Sequence, residues 1–213
     1  MGEESGVKTN ELLQTQDLTC VPKYKHMANE VTGVVLSGGR SSRFGQDKGL
    51  YPYKGKPLVL HALEILDPIC SKLMISTNDS RSYAGFGYEC IEDLSPNAGP
   101  LAGIQSALTH APTDIVALIS CDTPHIPSTL YATLIDSIRN HDVVMPSHSG
   151  FIETMTAVYA KKCLPWIETA IKLKRFRILD AIKPMDSLFL EIEHKGFYRP
   201  DIFHNINYKE DIR

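Results

Sequence analysis

Short apolar runs alternate along this chain with segments whose apolar residues recur every three to four positions. A short apolar run bounded by polar or glycine-rich residues predicts a buried strand, and the longer spacing predicts an amphipathic helix. By this criterion we predict five strands and three helices before Gly150. The strands cover residues 31–36, 72–77, 88–93, 114–120 and 142–145, and the helices cover 57–66, 99–110 and 128–140.

The pattern weakens after Gly150. It still predicts a strand over 155–160, a helix over 163–173 that Pro165 interrupts early, and a strand over 187–193. Ser128 is expected to cap the helix that begins there. Alternation of strands and helices is typical of a doubly wound, mostly parallel sheet with helices on both faces. The expected fold is therefore a single-domain α/β protein, Rossmann-like, over residues 31–213, with residues 1–30 as a polar and mobile N-terminal extension.

Composition narrows the class of protein. The 213 residues carry a net charge of -3, so no overall basic field favours nucleic acid. Apolar runs of the length that a membrane helix needs are absent from the sequence, and its beginning lacks the pattern of a secretory signal. The 5 cysteines are scattered and never form a C-x-x-C pair, which favours free thiols in a reducing compartment such as the cytoplasm.

Polar residues follow the predicted strands at the ends where ligands of open α/β sheets bind. Residues 37–48, which we call the glycine-rich segment, follow the first strand. Asn78 follows the second strand, Asp93 the third, and Asp122 the strand over 114–120. These residues are therefore the first candidates for a ligand site.

The glycine-rich segment reads "SGGRSSRFGQDK". It is not a Walker A loop, because Phe44 stands where the second glycine belongs, and adjacent Gly38 and Gly39 break the spacing of the dinucleotide fingerprint. Two glycines still allow backbone N–H groups to approach phosphate oxygens closely. The cations that accompany them are Arg40, Arg43 and Lys48. Taken alone, the segment fits either a phosphate site or a surface turn with solvated cations.

The longer string "LSGGRSSRFGQDK" resembles the signature of the nucleotidyltransferases related to molybdenum cofactor guanylyltransferase. Four later stretches are similar to further landmarks of that family, in the same order. They read "GKPLVLHALEIL", "EDLSPNAGPLAGIQSAL", "SCDTPHIP" and "FHNINYKEDI", and the likeness extends from about residue 31 to residue 212.

The resemblance implies roles for individual residues. Catalysis would involve Arg43, Lys48 and Asp122, with Asp122 also binding Mg²⁺. The nucleotide would contact Leu36, Ser37, Gly38, Gly39, Lys48, Ser76, Asn78, Asp93 and Asp122, the first four through their backbone. The pterin substrate would lie near Asn205 and Asn207. Judged from the residues alone, each aspartate could equally be a turn residue, Lys48 a solvated surface lysine, and the asparagine pair a loop cap.

A run of positive charge, Lys172, Lys174, Arg175 and Arg177, lies near the end of the helix predicted over 163–173. Such a run is usually a solvated helix face. Arg175 and Arg177 could instead receive the phosphate of the second substrate. The histidines form no metal-binding spacing, and Cys121 reads as a packed strand residue because no activating partner is visible.

The implied reaction transfers GMP from GTP to the terminal phosphate of molybdenum-molybdopterin, with pyrophosphate leaving. The nearest alternative is a related enzyme that uses CTP. Enzymes of that kind tend to read L-A-A-G, with alanine at the position that Gly38 occupies in "LSGG" here. Glycine at this position leaves more room for a purine, which favours GTP. The second alternative is a non-catalytic nucleotide-binding protein of the same fold. Proteins that insert molybdenum and acceptor molybdoenzymes are the expected partners, with no nucleic acid and no membrane.

Overall fold

The computed structural model describes residues 30–38 and 47–207. The predicted N-terminal extension, apart from Glu30, lies outside the described residues, as do Gly39, Arg40 and Arg43 of the glycine-rich segment.

Ten strands occur in the described residues. They are β1 (Val31–Leu36), β2 (Pro52–Tyr53), β3 (Lys56–Pro57), β4 (Lys72–Ser76), β5 (Glu89–Ile91), β6 (Ile115–Ser120), β7 (Val143–His148), β8 (Phe151–Ile152), β9 (Ala157–Ala160) and β10 (Ser187–Glu191).

Six α-helices accompany them in the same part of the chain. They are α1 (Leu58–Leu66), α2 (Ser80–Tyr83), α3 (Pro100–His110), α4 (Ser128–Ser137), α5 (Leu164–Lys172) and α6 (Ile178–Ala181). A short 3₁₀ turn, Lys48–Leu50, leads from the glycine-rich segment to β2. No helix in residues 30–38 and 47–207 is both long enough and apolar enough to cross a membrane.

Eight strands form one sheet, whose order is β10-β7-β9-β6-β1-β4-β5, with β8 paired to β7. Strand β1 is parallel to both β4 and β6, and β5 is parallel to β4. Strand β9 is antiparallel to both of its neighbours, β6 and β7. The four parallel neighbours β6, β1, β4 and β5 therefore end at a common edge, which is the arrangement that positions the site.

Both faces of the sheet are covered, as the alternation of side chains along β1 shows. Val35 packs in the cluster that α1 and α4 cover, whereas Val34 and Leu36 pack in the cluster that α3, α5 and α6 cover. This confirms the predicted doubly wound, mostly parallel α/β architecture.

Two local predictions were wrong. Pro165 lies in the first turn of α5, where its missing N–H is not needed, so it does not interrupt the helix. Ser128 is the first helical residue of α4, and Pro127 occupies the cap position without a side-chain hydrogen bond. The hairpin of β2 and β3, strand β8, and the short helices α2 and α6 had no prediction, because each is too brief to show a period.

Candidate functional site

The carboxyl ends of β5, β4, β1 and β6 follow one another along the edge of the sheet. Asp93, Asn78, Ser37 and Asp122 follow these strands in that order. Neighbouring strands lie about 4.8 Å apart, so this row extends over three strand spacings, roughly 14 Å. A ligand of nucleotide dimensions can therefore contact all four strand ends.

A cavity of about 810 Å³ opens at this edge. Its volume is in the range of small-molecule sites. Its walls come from the ends of β1, β4 and β5, from the turn before α3, and from Met155. The described residues that line it are Leu36, Ser37, Gly38, Asp47, Ser76, Thr77, Asn78, Asp79, Asp93, Pro96, Asn97, Gly99, Pro100, Gly103 and Met155.

Asn78 and Asp93 form a reciprocal pair on one side of the cavity. The Asn78 side-chain amide donates to Asp93 Oδ2 at 2.8 Å, and the backbone N–H of Asp93 donates to Asn78 Oδ1 at 3.1 Å. Each residue therefore fixes the orientation of the other. Both carry polar groups that a nucleotide base or sugar can contact, and both line the cavity.

Lys48, Asp122 and Asn207 meet at the end of β6. The Lys48 ammonium lies 2.6 Å from Asp122 Oδ2 and donates to Asn207 Oδ1 at 2.9 Å. The side chains of Lys48 and Asp122 are only 15% and 19% exposed, so water screens this ion pair less than a surface pair. A lysine and a carboxylate held this way can neutralise phosphate charge and bind a cation, respectively.

The segment before Asn207 is held by a backbone contact. The N–H of Ile206 donates to the carbonyl oxygen of Asp122 at 2.9 Å. The Ile206 side chain is fully buried in a small cluster with Tyr53 and Leu58. This anchoring brings Asn207 to Lys48. Asn205 is exposed in the same segment.

Three side chains that the sequence did not single out as a group form a network between the two described ends of the glycine-rich segment. The Tyr83 hydroxyl donates to Asp47 Oδ1 at 2.7 Å and lies 2.6 Å from Ser37 Oγ. Asp47 Oδ1 also accepts the backbone N–H of Gly49 at 2.9 Å. Burial, first of all, raises the pKa of Tyr83 above its ordinary value, and the nearby Asp47 carboxylate adds to this effect.

Glycine is required at position 49 because of close packing. A Cβ there would lie 1.9 Å from Ser37 Oγ and 2.4 Å from the Tyr83 hydroxyl oxygen. Gly38 differs, since its nearest neighbours to such a Cβ are at 4.0 Å and it faces the cavity. A side chain at position 38 would therefore occupy ligand space rather than collide with the protein.

The structure brings most of the predicted residues to this edge. Leu36, Ser37, Gly38, Ser76, Asn78 and Asp93 line the cavity, and Lys48, Asp122 and Asn207 form the neighbouring cluster. Ser37 is buried, and its hydroxyl points to Tyr83. Arg175 and Arg177 lie exposed between α5 and α6, and neither is among the described residues that line the cavity.

The other reactive side chains near the site have conventional surroundings. Burial raises the pKa of the Cys121 thiol to about 12, in agreement with a packed residue, although Cys121 lies in the turn after β6 and not in the strand itself. Burial lowers the pKa of His125, with Lys54 contributing; the Nε2 atom of His125 lies 2.7 Å from the Tyr53 hydroxyl. In the residues that the structure describes, no group of three or more histidine, cysteine or acidic side chains is arranged to hold a metal ion by itself.

Comparison with protein families gives one match over most of the chain. The model of the MobA-like NTP transferase domain matches residues 33–185. A probable molybdenum cofactor guanylyltransferase of Carboxydothermus hydrogenoformans is 30% identical over 183 residues, which are 85% of this chain and 92% of the relative. A probable molybdenum cofactor guanylyltransferase of Flavobacterium johnsoniae is 31% identical, and the alignment covers 85% of this chain and 94% of that relative. The molybdenum cofactor guanylyltransferase of Methylibium petroleiphilum is 45% identical over 118 residues, 54% of this chain and 58% of the relative.

Solved structures show the same fold. The molybdopterin-guanine dinucleotide biosynthesis protein A of Archaeoglobus fulgidus superposes with a TM-score of 0.70 at 24% identity, covering 85% of this chain and 94% of its own. The bifunctional IspDF of Campylobacter jejuni superposes with a TM-score of 0.65 at 17% identity, covering 86% of this chain and 53% of its own.

Proposed function

Because the chain belongs to the family of MobA-like NTP transferases, we propose that it transfers GMP from GTP to the terminal phosphate of molybdenum-molybdopterin. Relatives named molybdenum cofactor guanylyltransferase, similar over most of their length, support this substrate assignment. The product is the guanine dinucleotide form of the cofactor.

The single observation that carries the proposal is the position of the Lys48–Asp122 pair next to the cavity. Asp122 follows β6 and holds Lys48 there, the cavity opens at β1, β4 and β5, and β1 lies between β6 and β4. GTP would place its base and sugar near Gly38, Asn78 and Asp93, since a Cβ at position 38 would lie 4.0 Å from the Asn78 side chain, and it would place its phosphates near Lys48. The α-phosphate would then lie between the cavity and Asp122.

The reaction is an in-line substitution at phosphorus. A terminal phosphate oxygen of the acceptor forms a bond to the α-phosphorus of GTP, and the bond from that phosphorus to the α,β-bridging oxygen breaks. Pyrophosphate leaves with the bonding electrons. The attacking oxygen is already anionic, so no protein nucleophile is needed, and the protein acts by positioning and by neutralising charge.

Lys48 is proposed to stabilise the charge that develops on the phosphates. In the structure its ammonium pairs with Asp122, and it can pair with a phosphate oxygen in the same way when GTP is bound. Arg43 and Gly39 are proposed to contact the phosphates as well, although both lie outside the described residues.

Asp122 is the residue proposed to bind Mg²⁺. Mg²⁺ commonly takes one or two protein carboxylates and fills its remaining positions with phosphate oxygens and water. A partly buried carboxylate beside a proposed triphosphate site fits this pattern, and an all-protein metal cluster is not required. The ion would offset negative charge on the triphosphate.

The acceptor is proposed to approach from the side of Asn205 and Asn207. Asn207 already contacts Lys48, which places its amide beside the phosphate-binding lysine. Arg175 and Arg177 remain candidates for the acceptor's phosphate. Their exposure leaves them accessible to it.

The reaction is proposed to take place in the cytoplasm, with proteins that insert molybdenum and acceptor molybdoenzymes as partners. The four cysteines in the described residues, Cys70, Cys90, Cys121 and Cys163, are free thiols, which supports a reducing compartment.

The proposal is tested by incubating the protein with GTP, Mg²⁺ and molybdenum-molybdopterin and identifying the pterin product by mass spectrometry. We expect the acceptor to gain one GMP. An unchanged acceptor, with correctly folded protein and intact GTP, would contradict the proposed function.

A further inference from the structure

We propose that the Tyr83 hydroxyl is a positioning group for the transfer reaction, because it ties the two ends of the glycine-rich segment together and thereby sets Lys48 against Asp122. This inference rests on the function proposed above. Ser37 begins the segment and Asp47 precedes Lys48 at its end, so one hydroxyl from α2 contacts both ends.

The direction of the hydrogen bonds follows from the chemistry of the three groups. A carboxylate only accepts, so Tyr83 gives its one proton to Asp47. The remaining contact, at 2.6 Å between Tyr83 and Ser37, must then be donated by the serine hydroxyl. Ser37 therefore donates to Tyr83, and Tyr83 donates to Asp47, so the direction of both hydrogen bonds is defined.

Burial makes this arrangement specific. Tyr83 is 0% exposed and Ser37 is 4% exposed, so water does not readily replace either partner. Burial also raises the pKa of Tyr83, so the phenol keeps its proton throughout the neutral range and remains a donor. Removing the hydroxyl would break the hydrogen bond of the buried Ser37 to Tyr83 and would free one side of Asp47.

The network reaches the reacting groups through Asp47. The Asp47 oxygen that accepts from Tyr83 also accepts the backbone N–H of Gly49. Both residues next to Lys48, Asp47 and Gly49, are therefore held in place by this network. This fixes the 3₁₀ turn Lys48–Leu50 from which the ammonium reaches Asp122 at 2.6 Å. Misplacing a charged group by a fraction of an ångström lowers the rate of a reaction that depends on positioning.

A purely structural role for Tyr83 would belong to its ring, which packs in the core and contacts Phe86 edge-on at a centroid distance of 6.0 Å. Phenylalanine preserves that packing. Tyr131 supplies the matched control, because it too is 0% exposed, and its hydroxyl donates to the Leu118 carbonyl oxygen at 2.6 Å, within β6. Each tyrosine-to-phenylalanine change removes one buried, hydrogen-bonded hydroxyl.

The first experiment compares Tyr83→Phe with Tyr131→Phe in steady-state GMP transfer and in thermal unfolding. We expect Tyr83→Phe to lower kcat/KM for GTP by about 10- to 100-fold, and Tyr131→Phe to change it by less than about 3-fold. Their melting temperatures should fall by similar amounts. Equal activities in the two variants would overturn the proposal.

A double-mutant cycle with Asp47 separates positioning from general damage. Asp47→Ala should lose at least as much activity as Tyr83→Phe, because it also removes the acceptor of the Gly49 N–H. Adding Tyr83→Phe to Asp47→Ala should then cost little more, since the link to Tyr83 is already broken. Asp47→Asn keeps an oxygen that can accept from Tyr83 and Gly49, so it should retain most of the activity. Additive losses, or an asparagine variant as poor as the alanine variant, would contradict the proposed link.

Binding of a fluorescent GTP analogue gives a readout that does not depend on turnover. We expect Tyr83→Phe to raise its Kd by about 10-fold relative to Tyr131→Phe, since the same network shapes the phosphate site. A wild-type protein that binds the analogue but transfers no GMP would refute the proposed function. Equal Kd values in the two variants would refute the positioning role of Tyr83.

Discussion

The ammonium nitrogen of Lys48 lies 2.6 Å from Oδ2 of Asp122, although the two residues are 74 positions apart in the chain. Asn207 brings a third segment of the chain to the same nitrogen, 159 positions from Lys48. Contacts between such distant positions require the native sheet and the docked C-terminal segment. The cluster that we propose to carry out catalysis therefore forms only when the whole sheet has folded.

Replacing Asp122 with asparagine should abolish transfer without unfolding the protein. The substitution keeps the side-chain shape but removes the negative charge that pairs with Lys48 and that we propose binds Mg²⁺. We expect kcat/KM for GTP to fall by about 100-fold or more, because charge is removed where the phosphates react. Asp142→Asn is the matched control, since Asp142 is 20% exposed and pairs with Lys162 at 2.5 Å just before β7. Equal activity losses in the two variants would contradict the role of Asp122.

The ion pair of Asp142 with Lys162 should make the stability of the protein depend on pH. The pKa of Asp142 lies below its ordinary value of 3.8. The larger cause is the hydrogen bond from Lys162, and the hydrogen bond from the backbone N–H of Asp186 adds to it. A carboxyl with a lowered folded pKa stabilises the protein above about pH 4 and loses that contribution as the pH falls through the folded value. Wild type should therefore lose more unfolding free energy than Asp142→Asn between about pH 5 and pH 2. Parallel curves, measured by urea unfolding, would show that the ion pair contributes nothing.

Gly49→Ala should both destabilise the protein and reduce activity. The added methyl group would overlap Ser37 Oγ and the Tyr83 hydroxyl, so the hydrogen-bonded network of Ser37, Tyr83 and Asp47 must move apart. We expect a loss of about 1–3 kcal/mol in unfolding free energy, typical of overpacking. Gly85→Ala is the control, because a methyl group there meets no atom of residues 30–38 and 47–207 within 4 Å. A Gly49→Ala protein as stable and as active as Gly85→Ala would refute the packing argument.

Gly38→Ala should change nucleotide preference more than stability. A methyl group at position 38 faces the cavity and has no atom of the described residues closer than 4.0 Å, so this part of the fold can accept it. Because it occupies space that we assign to GTP, the ratio of kcat/KM for GTP to that for CTP should fall by about 10-fold. Competition between the two nucleotides in one reaction measures this ratio. An unchanged ratio would show that Gly38 does not contribute to the choice of base.

Breaking the Asn78–Asp93 pair should weaken GTP binding. Each side chain holds the other in place, so Asn78→Ala and Asp93→Ala should each raise the Kd for GTP by about 10-fold, and the double variant should be little worse. Glu92→Ala is the neighbouring control, because Glu92 is exposed and accepts only a long contact of 3.4 Å from Ser80. Calorimetric titration gives the Kd values of the wild type and of the four variants. Fully additive effects would indicate two independent contacts instead of one unit.

Much of the site could be predicted because of how parallel strands end. Once β1, β4, β5 and β6 are identified from their apolar runs, the polar residues behind them must meet at one edge. The doubly wound architecture followed from the alternation of strand and helix patterns along the chain. Pro165 was misread because proline stops a helix only beyond its first turn, and the spacing alone does not show where α5 begins.

The supporting residues could not be predicted, because they act through contacts that no local pattern records. Tyr83 lies on a four-residue helix, and nothing in "SRSY" shows that its hydroxyl reaches Ser37, 46 positions earlier. Gly49 looks like an ordinary turn glycine until the packing around it is known. Ile206, which places Asn207, is a lone apolar residue in a polar stretch.

The most direct test of guanylyl transfer at this site is pyrophosphate release in the presence of Mg²⁺ and molybdenum-molybdopterin, with GTP, CTP and ATP offered in parallel to wild type and Asp122→Asn. We predict release with GTP alone, and its loss in the variant. Preference for CTP would contradict the assignment of guanine. Absence of release with all three nucleotides, from folded protein and an intact acceptor, would contradict catalysis itself.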